Sequence, residues 1–263
     1  MSISKYWADH SRRFAGLNFV YPVISRRAKG LSIGINCTPN GACSFDCIYC
    51  QVSSTKPVLP TVDEIISELK QLLSIYRLTN LAEYFLDVDE KDRKLKDIAL
   101  SGDGEPTLYP HFVELCKAIR EYCDTPLILI TNAAQITEGL EYFTEIWGKL
   151  DAGTDDFLQL INRPKKKIDI AEVERNLKFI VSNFPLRIQT MLCKIPSNEE
   201  IDNYIQIVQR IYDENPKNLL GVQLYSVIRE TAENFAKPLP REFLEKVKRK
   251  LLEKNSKLSV EVF

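Results

Sequence analysis

Cys43, Cys47 and Cys50 stand three and then two residues apart in one short stretch. Cysteine thiolates hold iron–sulfur clusters, and short spacings let one loop wrap one cluster. The usual [4Fe–4S] site takes four cysteines. Three in the loop leave one iron without a protein ligand, an open position of the kind a catalytic metal site keeps for a substrate or cosubstrate. Zinc is the rival metal. It would need a fourth Cys or His, and Cys37 is near in sequence, but a zinc ribbon shows two Cys-x2-Cys pairs and only one is present. A disulfide is the remaining bland alternative.

The second chemical stretch runs from Ser101 through Gly102, Asp103, Gly104 and Glu105 to Pro106. Two glycines permit positive φ and close approach of a ligand. The plain alternative is a strand-to-helix turn stiffened by Pro106. Thr131 and Asn132 end a later strand, where Asn also suits a turn. Lys149 and Asp151 fall on one side of a strand and Leu150 on the other. Inside a parallel barrel such charges need each other or a ligand. Gln189 lies similarly on a strand and could bond a ribose. Tyr225 and Arg229 close the last strand-to-helix loop, and Arg229 could clamp a carboxylate. Arg163 with Lys165, Lys166 and Lys167 could touch phosphate or simply form a solvated loop. His10 and His111 are too few and too far apart for a histidine metal site.

These residues need strands and helices to hold them. Residues 1–30 read as an irregular extension packing on a single domain over 31–263. Leu31 to Cys37 reads as a strand feeding the cysteine loop. Thr61 with Glu64, and Ser197 with Glu200, form capping-box patterns that open helices with Ile65, Leu69 and Leu72, and with Ile201, Tyr204 and Val208, at helical spacing. Residues 79–96 read as a surface insertion. Strands are expected near 97–100, 126–130, 149–153, 186–192, 219–227 and 258–263, and helices near 110–122, 137–147, 170–183 and 240–254. About six alternations argue for a parallel sheet with crossover helices, either a partial barrel or an open doubly wound sheet.

Composition bounds the function. The chain has 263 residues, 44% of them hydrophobic, enough for a large core. Its net charge of −1 gives no global basic field toward nucleic acid. Seven cysteines without an extracellular pattern suggest a reducing compartment. No secretory signal or membrane-length apolar run is read, so a soluble cytoplasmic protein with no membrane partner is expected.

The cysteine spacing, with Tyr49 before its last cysteine, resembles the radical S-adenosylmethionine (radical SAM) superfamily. The Ser101–Pro106 loop is similar to that superfamily's Gly-Gly-Glu-Pro element, with Asp103 as the departure. The resemblance implies a partial (β/α)6 TIM-like barrel, a [4Fe–4S] cluster on the three cysteines, and SAM on its open iron. It implies that Gly102, Asp103, Gly104 and Glu105 receive the SAM methionine moiety and that Tyr49 flanks the adenine. Thr131, Asn132, Gln189 and Tyr225 are read as further cofactor contacts, and Lys149, Asp151 and Arg229 as substrate-facing catalytic candidates.

Further motifs over roughly residues 20–230 resemble the branch that includes the wyosine-forming tRNA enzymes. They start at Tyr21 and Ser32, continue with Gln51 and Leu150-Asp-Ala-Gly, and end at Val222-Gln-Leu-Tyr-Ser. That branch carries more positive charge and a second set of cluster cysteines. Here only Cys37, Cys116, Cys123 and Cys193 remain, read as small hydrophobes. The expected substrate is therefore a small molecule, a nucleobase or nucleoside, with tRNA as the alternative and a non-catalytic metal-binding module as a second one. The expected electron donor is a flavodoxin or ferredoxin.

Overall fold

The computed structural model describes residues 14–52, 58–228, 231 and 233–263. Contacts divide the chain into two compact units. The first comprises 1–42, 55–130 and 138–144, and the second 43–54, 131–137 and 145–263.

In the first unit, β1 (Val20–Ser25) pairs antiparallel with β2 (Gly30–Ile35). β2 runs parallel to β3 (Leu95–Leu100), and β3 to β4 (Leu127–Thr131), whose last residue belongs to the second unit. Residues 20–25, expected to be irregular, thus form a strand. Pro22, which cannot donate to a ladder, is tolerated because among the described residues this strand pairs on one side only. Tyr21 lies opposite Gly34, where an added Cβ would collide with its ring.

Helix α1 (Val62–Thr79) begins as the capping box predicts. Glu64 N–H donates to Thr61 Oγ1 at 3.2 Å, and Thr61 N–H to Glu64 Oε2 at 2.8 Å. It buries Ile65, Leu69, Leu72 and Leu73, each worth about 1.5–3 kcal/mol against leaving it in water. It ends at Asn80 in the left-handed conformation, φ 50°. Helix α2 (Phe112–Tyr122) packs Leu115, Cys116 and Ile119 inward.

In the second unit β5 (Glu145–Lys149), β6 (Leu186–Leu192), β7 (Leu219–Ser226) and β8 (Val260–Val262) are all parallel and ordered as in the chain. Neither unit reverses its strand order, which a doubly wound sheet must do at its switch point. Helices α3 (Asp155–Ile161), α4 (Ile170–Asn183), α5 (Asn198–Glu214) and α6 (Arg241–Lys254) complete this unit.

The helix expected over 137–147 does not form. Gly139 sits at φ 88°, a 3-10 turn covers Leu140–Tyr142, and Glu145–Lys149 is strand β5. Gly148 explains the strand: its missing Cβ makes room for Leu177, so the chain is pressed flat against α4. Helix α3 was not anticipated, although Thr154 caps it by accepting from Phe157 N–H at 3.3 Å. The second capping box forms only by half. Ser197 caps Glu200 N–H at 3.0 Å, but the Glu200 carboxylate turns to Gly153 N–H and to the Thr154 hydroxyl, 2.6 Å away.

Gly153 therefore joins β5 to α5. A Cβ there would collide with the backbone of Tyr204 and Glu200. Gly153→Ala is expected to cost about 1–3 kcal/mol of stability, read as a lower urea midpoint at unchanged m-value. An unchanged midpoint would show that this contact has slack.

Candidate metal centre and cofactor site

The cysteine loop is stitched to the end of α3 by its own backbone. Ile48 N–H donates to Ile161 O at 3.0 Å, Asp46 N–H to Asn162 O at 3.0 Å, and Lys165 N–H to Ser44 O at 2.8 Å. Ile48, fully buried, anchors the loop in an apolar cluster with Ile161, Met191, Cys193 and Val227, against which Tyr49 and Tyr225 pack. Cys43, Cys47 and Cys50 are all unbridged and half-buried.

Two of the three sulfurs have an amide donor beside them. Asn132 Nδ2 lies 3.6 Å from Cys43 Sγ and 2.9 Å from Ser44 Oγ, and Asn162 Nδ2 lies 3.4 Å from Cys47 Sγ. Asn132 was expected at the site, whereas Asn162 was missed. It ends α3 just before Arg163 and Pro164, where an Asn reads as nothing more than a helix stop.

Next to Cys47 sits a charged network around Asp151. Its carboxylate accepts from the Tyr49 hydroxyl, from Asn162 Nδ2 at 2.9 Å and from Met191 N–H at 2.7 Å, and pairs with the Lys149 ammonium at 3.1 Å. Lys149 donates to the Tyr225 hydroxyl at 2.6 Å and lies 4.9 Å from the ring centres of both Tyr49 and Tyr225. Lys149 and Asp151 thus share a side as predicted, and they partner each other. Burial alone would lower the Lys149 ammonium, but Asp151 and Tyr225 outweigh it and hold it above the ordinary lysine value. Burial, then Asp151, push Tyr49 well above the ordinary phenol and Cys47 up to about 12. Asn162 Oδ1 is buried without a partner among the described residues.

Gln189, also in the second unit, is fully buried and donates to Gln223 Oε1 at 2.9 Å. Thr131 Oγ1 accepts from Ala133 N–H at 3.2 Å. Arg229 lies outside the described residues.

The glycine loop belongs to the first unit. Gly102 and Gly104 do not use the positive φ that glycine permits. Their role is space. A Cβ on Gly102 would strike Asn36 Oδ1, and one on Gly104 the Ala42 carbonyl, which accepts from Glu105 N–H at 2.8 Å. Asn36 also holds Asp103, donating through Nδ2 to its carboxylate at 2.7 Å. Glu105 is buried and accepts from the Thr107 hydroxyl at 2.8 Å, while the Thr38 hydroxyl beside Gly104 is buried with no partner among the described residues. Asn36 and Thr38 carried no spacing signal.

A family model described as Radical SAM superfamily matches residues 38–208, from just ahead of the cysteine loop into α5. This chain belongs to the radical SAM superfamily. A protein named GTPase Obg from Brachyspira hyodysenteriae is 33% identical over 92% of this chain; the chain spans about a third of that relative's length, 34%. A UPF0026 protein of Synechocystis is 31% identical, covering 73% of this chain and 71% of its own length, so the chain also belongs to that family. The human S-adenosyl-L-methionine-dependent tRNA 4-demethylwyosine synthase TYW1B is 29% identical over 65% of this chain and 27% of its own.

Among solved structures, TYW1 with a lysine-pyruvate adduct bound has a TM-score of 0.62 at 23% identity, covering 87% of this chain and 74% of that one. A radical SAM methyltransferase from Sphaerobacter thermophilus has 0.65 at 14%, covering 93% and 68%. These likenesses show the fold, the mixed α/β partial barrel expected from the sequence. The family implies SAM and an iron–sulfur cluster. The donor chemistry of the cysteine loop fits: three unbridged thiols, amide N–H groups on two of them, and Asn162 Oδ1 buried with no partner among the described residues. Among the described residues no three His, Cys, Asp or Glu side chains form a ready metal-ligand set.

Removing one partner of a buried ion pair strands the other. Asp151→Ala leaves the Lys149 ammonium without its carboxylate and is expected to cost about 3–5 kcal/mol in urea unfolding. Lys149→Met should cost less, because three other donors still serve Asp151. Because the Lys149 value is raised on folding, its stabilisation is complete below about pH 10.4 and is lost only as pH rises beyond that. A larger loss from Lys149→Met than from Asp151→Ala would contradict the network's hub.

Proposed function

We propose that this radical SAM enzyme holds a [4Fe–4S] cluster on Cys43, Cys47 and Cys50 and modifies a nucleobase of tRNA in a wyosine-type reaction. When bound, the cluster supplies the electron that breaks the sulfonium C–S bond of SAM; the protein supplies binding, orientation and exclusion of water. The observation that carries the cluster is the loop itself, three half-buried unbridged thiols with donors from Asn132 and Asn162.

Gly102 to Glu105 are assigned to the methionine moiety, Tyr49 to the adenine, and Thr131, Asn132, Gln189 and Tyr225 to the remaining cofactor contacts. Lys149, Asp151 and Arg229 are assigned to substrate. Lys149 is held as an ammonium by Asp151 and Tyr225, which suits a cation that grips a phosphate or carboxylate rather than an amine that attacks a carbonyl. Flavodoxin or ferredoxin is the proposed electron donor. Near-neutral charge argued for a free small molecule, but relatives named as tRNA 4-demethylwyosine synthases favour tRNA. Among the described residues no helix is long and apolar enough to cross a membrane.

Anaerobic reconstitution with iron and sulfide, reduction, and incubation with SAM, bulk tRNA and pyruvate, which TYW1 carries as a lysine adduct, as the source of the added carbons should yield 5′-deoxyadenosine, with 4-demethylwyosine appearing in the tRNA digest by mass spectrometry. Cys47→Ala should bring both to background. Cleavage of SAM with no altered nucleoside would reject the tRNA substrate, and no cleavage by a folded, iron-loaded sample would reject the chemistry.

A further inference from the structure

Phe235 is a large apolar side chain left 44% exposed, and two cations lie against it. Arg163 Cζ lies 5.9 Å and Lys194 Nζ 5.7 Å from its ring centre. Arg163 opens the run that continues with exposed Lys165, Lys166 and Lys167. Only Glu233, 2.8 Å from Arg163 Nη1, is ion-paired into this group among the described residues. In a chain whose net charge is −1, this is a local excess of positive charge around an exposed ring.

Its position is fixed by backbone bonds to the cysteine loop. Lys165 N–H donates to Ser44 O at 2.8 Å, Asp46 N–H to Arg163 O at 3.1 Å, and Glu233 N–H to Ile48 O at 3.1 Å. The ring and its cations therefore border the loop that carries the three cysteines.

We propose that this rim binds a single-stranded RNA loop, with one base stacked on Phe235 and its flanking phosphates held by Arg163, Lys194 and the Lys165–Lys167 run. Aromatic rings and Arg planes take splayed-out bases of RNA loops, and cations beside them take the backbone. An apolar protein partner would not need the cations, and a duplex could not reach the ring with a base face. The proposal rests on the tRNA reading above and names the surface that reading requires.

The test is fluorescence anisotropy of labelled bulk tRNA with the reconstituted full chain across a range of salt. Phe235→Ala should weaken binding about tenfold, and Phe235→Tyr should restore it. The triple variant Lys165→Gln, Lys166→Gln, Lys167→Gln should lower the slope of log affinity against log salt by about 2. Iron content and circular dichroism matching the wild type establish that the variants fold. Tight wild-type binding with unchanged variants would overturn this surface while leaving the tRNA substrate standing. Variants that bind tRNA normally but lose reduction by flavodoxin would reassign the surface to an acidic electron carrier and overturn the proposal. No tRNA binding by the wild type would remove the substrate reading, and this surface with it.

Discussion

A single buried carboxylate sets the arrangement of the second unit. Asp151 holds Lys149, Tyr49, Asn162 and the Met191 amide at once. Each partner belongs to a different piece of chain: the end of β5, the cysteine loop, the end of α3, and β6. A carboxylate this deep is tolerable only with its lone pairs filled and a countercharge beside it, and both conditions are met. The same bonds fix the loop. Tyr49 follows Cys47 by two residues, and Asn162 reaches both Asp151 and the Cys47 sulfur. The geometry of the cysteine loop is thus inherited from an ion-paired core and not from the cysteines alone.

The first unit uses a different device. Its glycine loop closes on Asn36 and the Ala42 carbonyl because two side chains are missing. Asp103, the departure from the superfamily's Gly-Gly-Glu-Pro element, has a structural reason: Asn36 clasps both its carboxylate and its amide. A residue that looks like a flaw in the motif is a local brace.

Much of this was legible in the chain. The Lys149–Asp151 alternation and the Thr61–Glu64 box each depend on neighbours a few residues apart, and each reappears as read. What escaped depends on distant partners. Asn162 and Asn36 matter through residues 115 and 67 positions away, and nothing local marks them. The stretch 137–147 has helix-forming residues, yet Gly139 turns the chain and Gly148 packs under Leu177, so tertiary contact overrides propensity. Val20–Ser25 hid for a related reason. Its Pro22 argues against a strand until the strand is seen to pair, among the described residues, on one side.

The central claim is that three thiolates leave one iron open to SAM. The most direct measurement is the low-temperature EPR spectrum of the anaerobically reconstituted, reduced protein before and after SAM is added. The account predicts a reduced-cluster signal whose g-values move when SAM binds. A spectrum that SAM leaves untouched, on a protein carrying a full complement of iron, would contradict it.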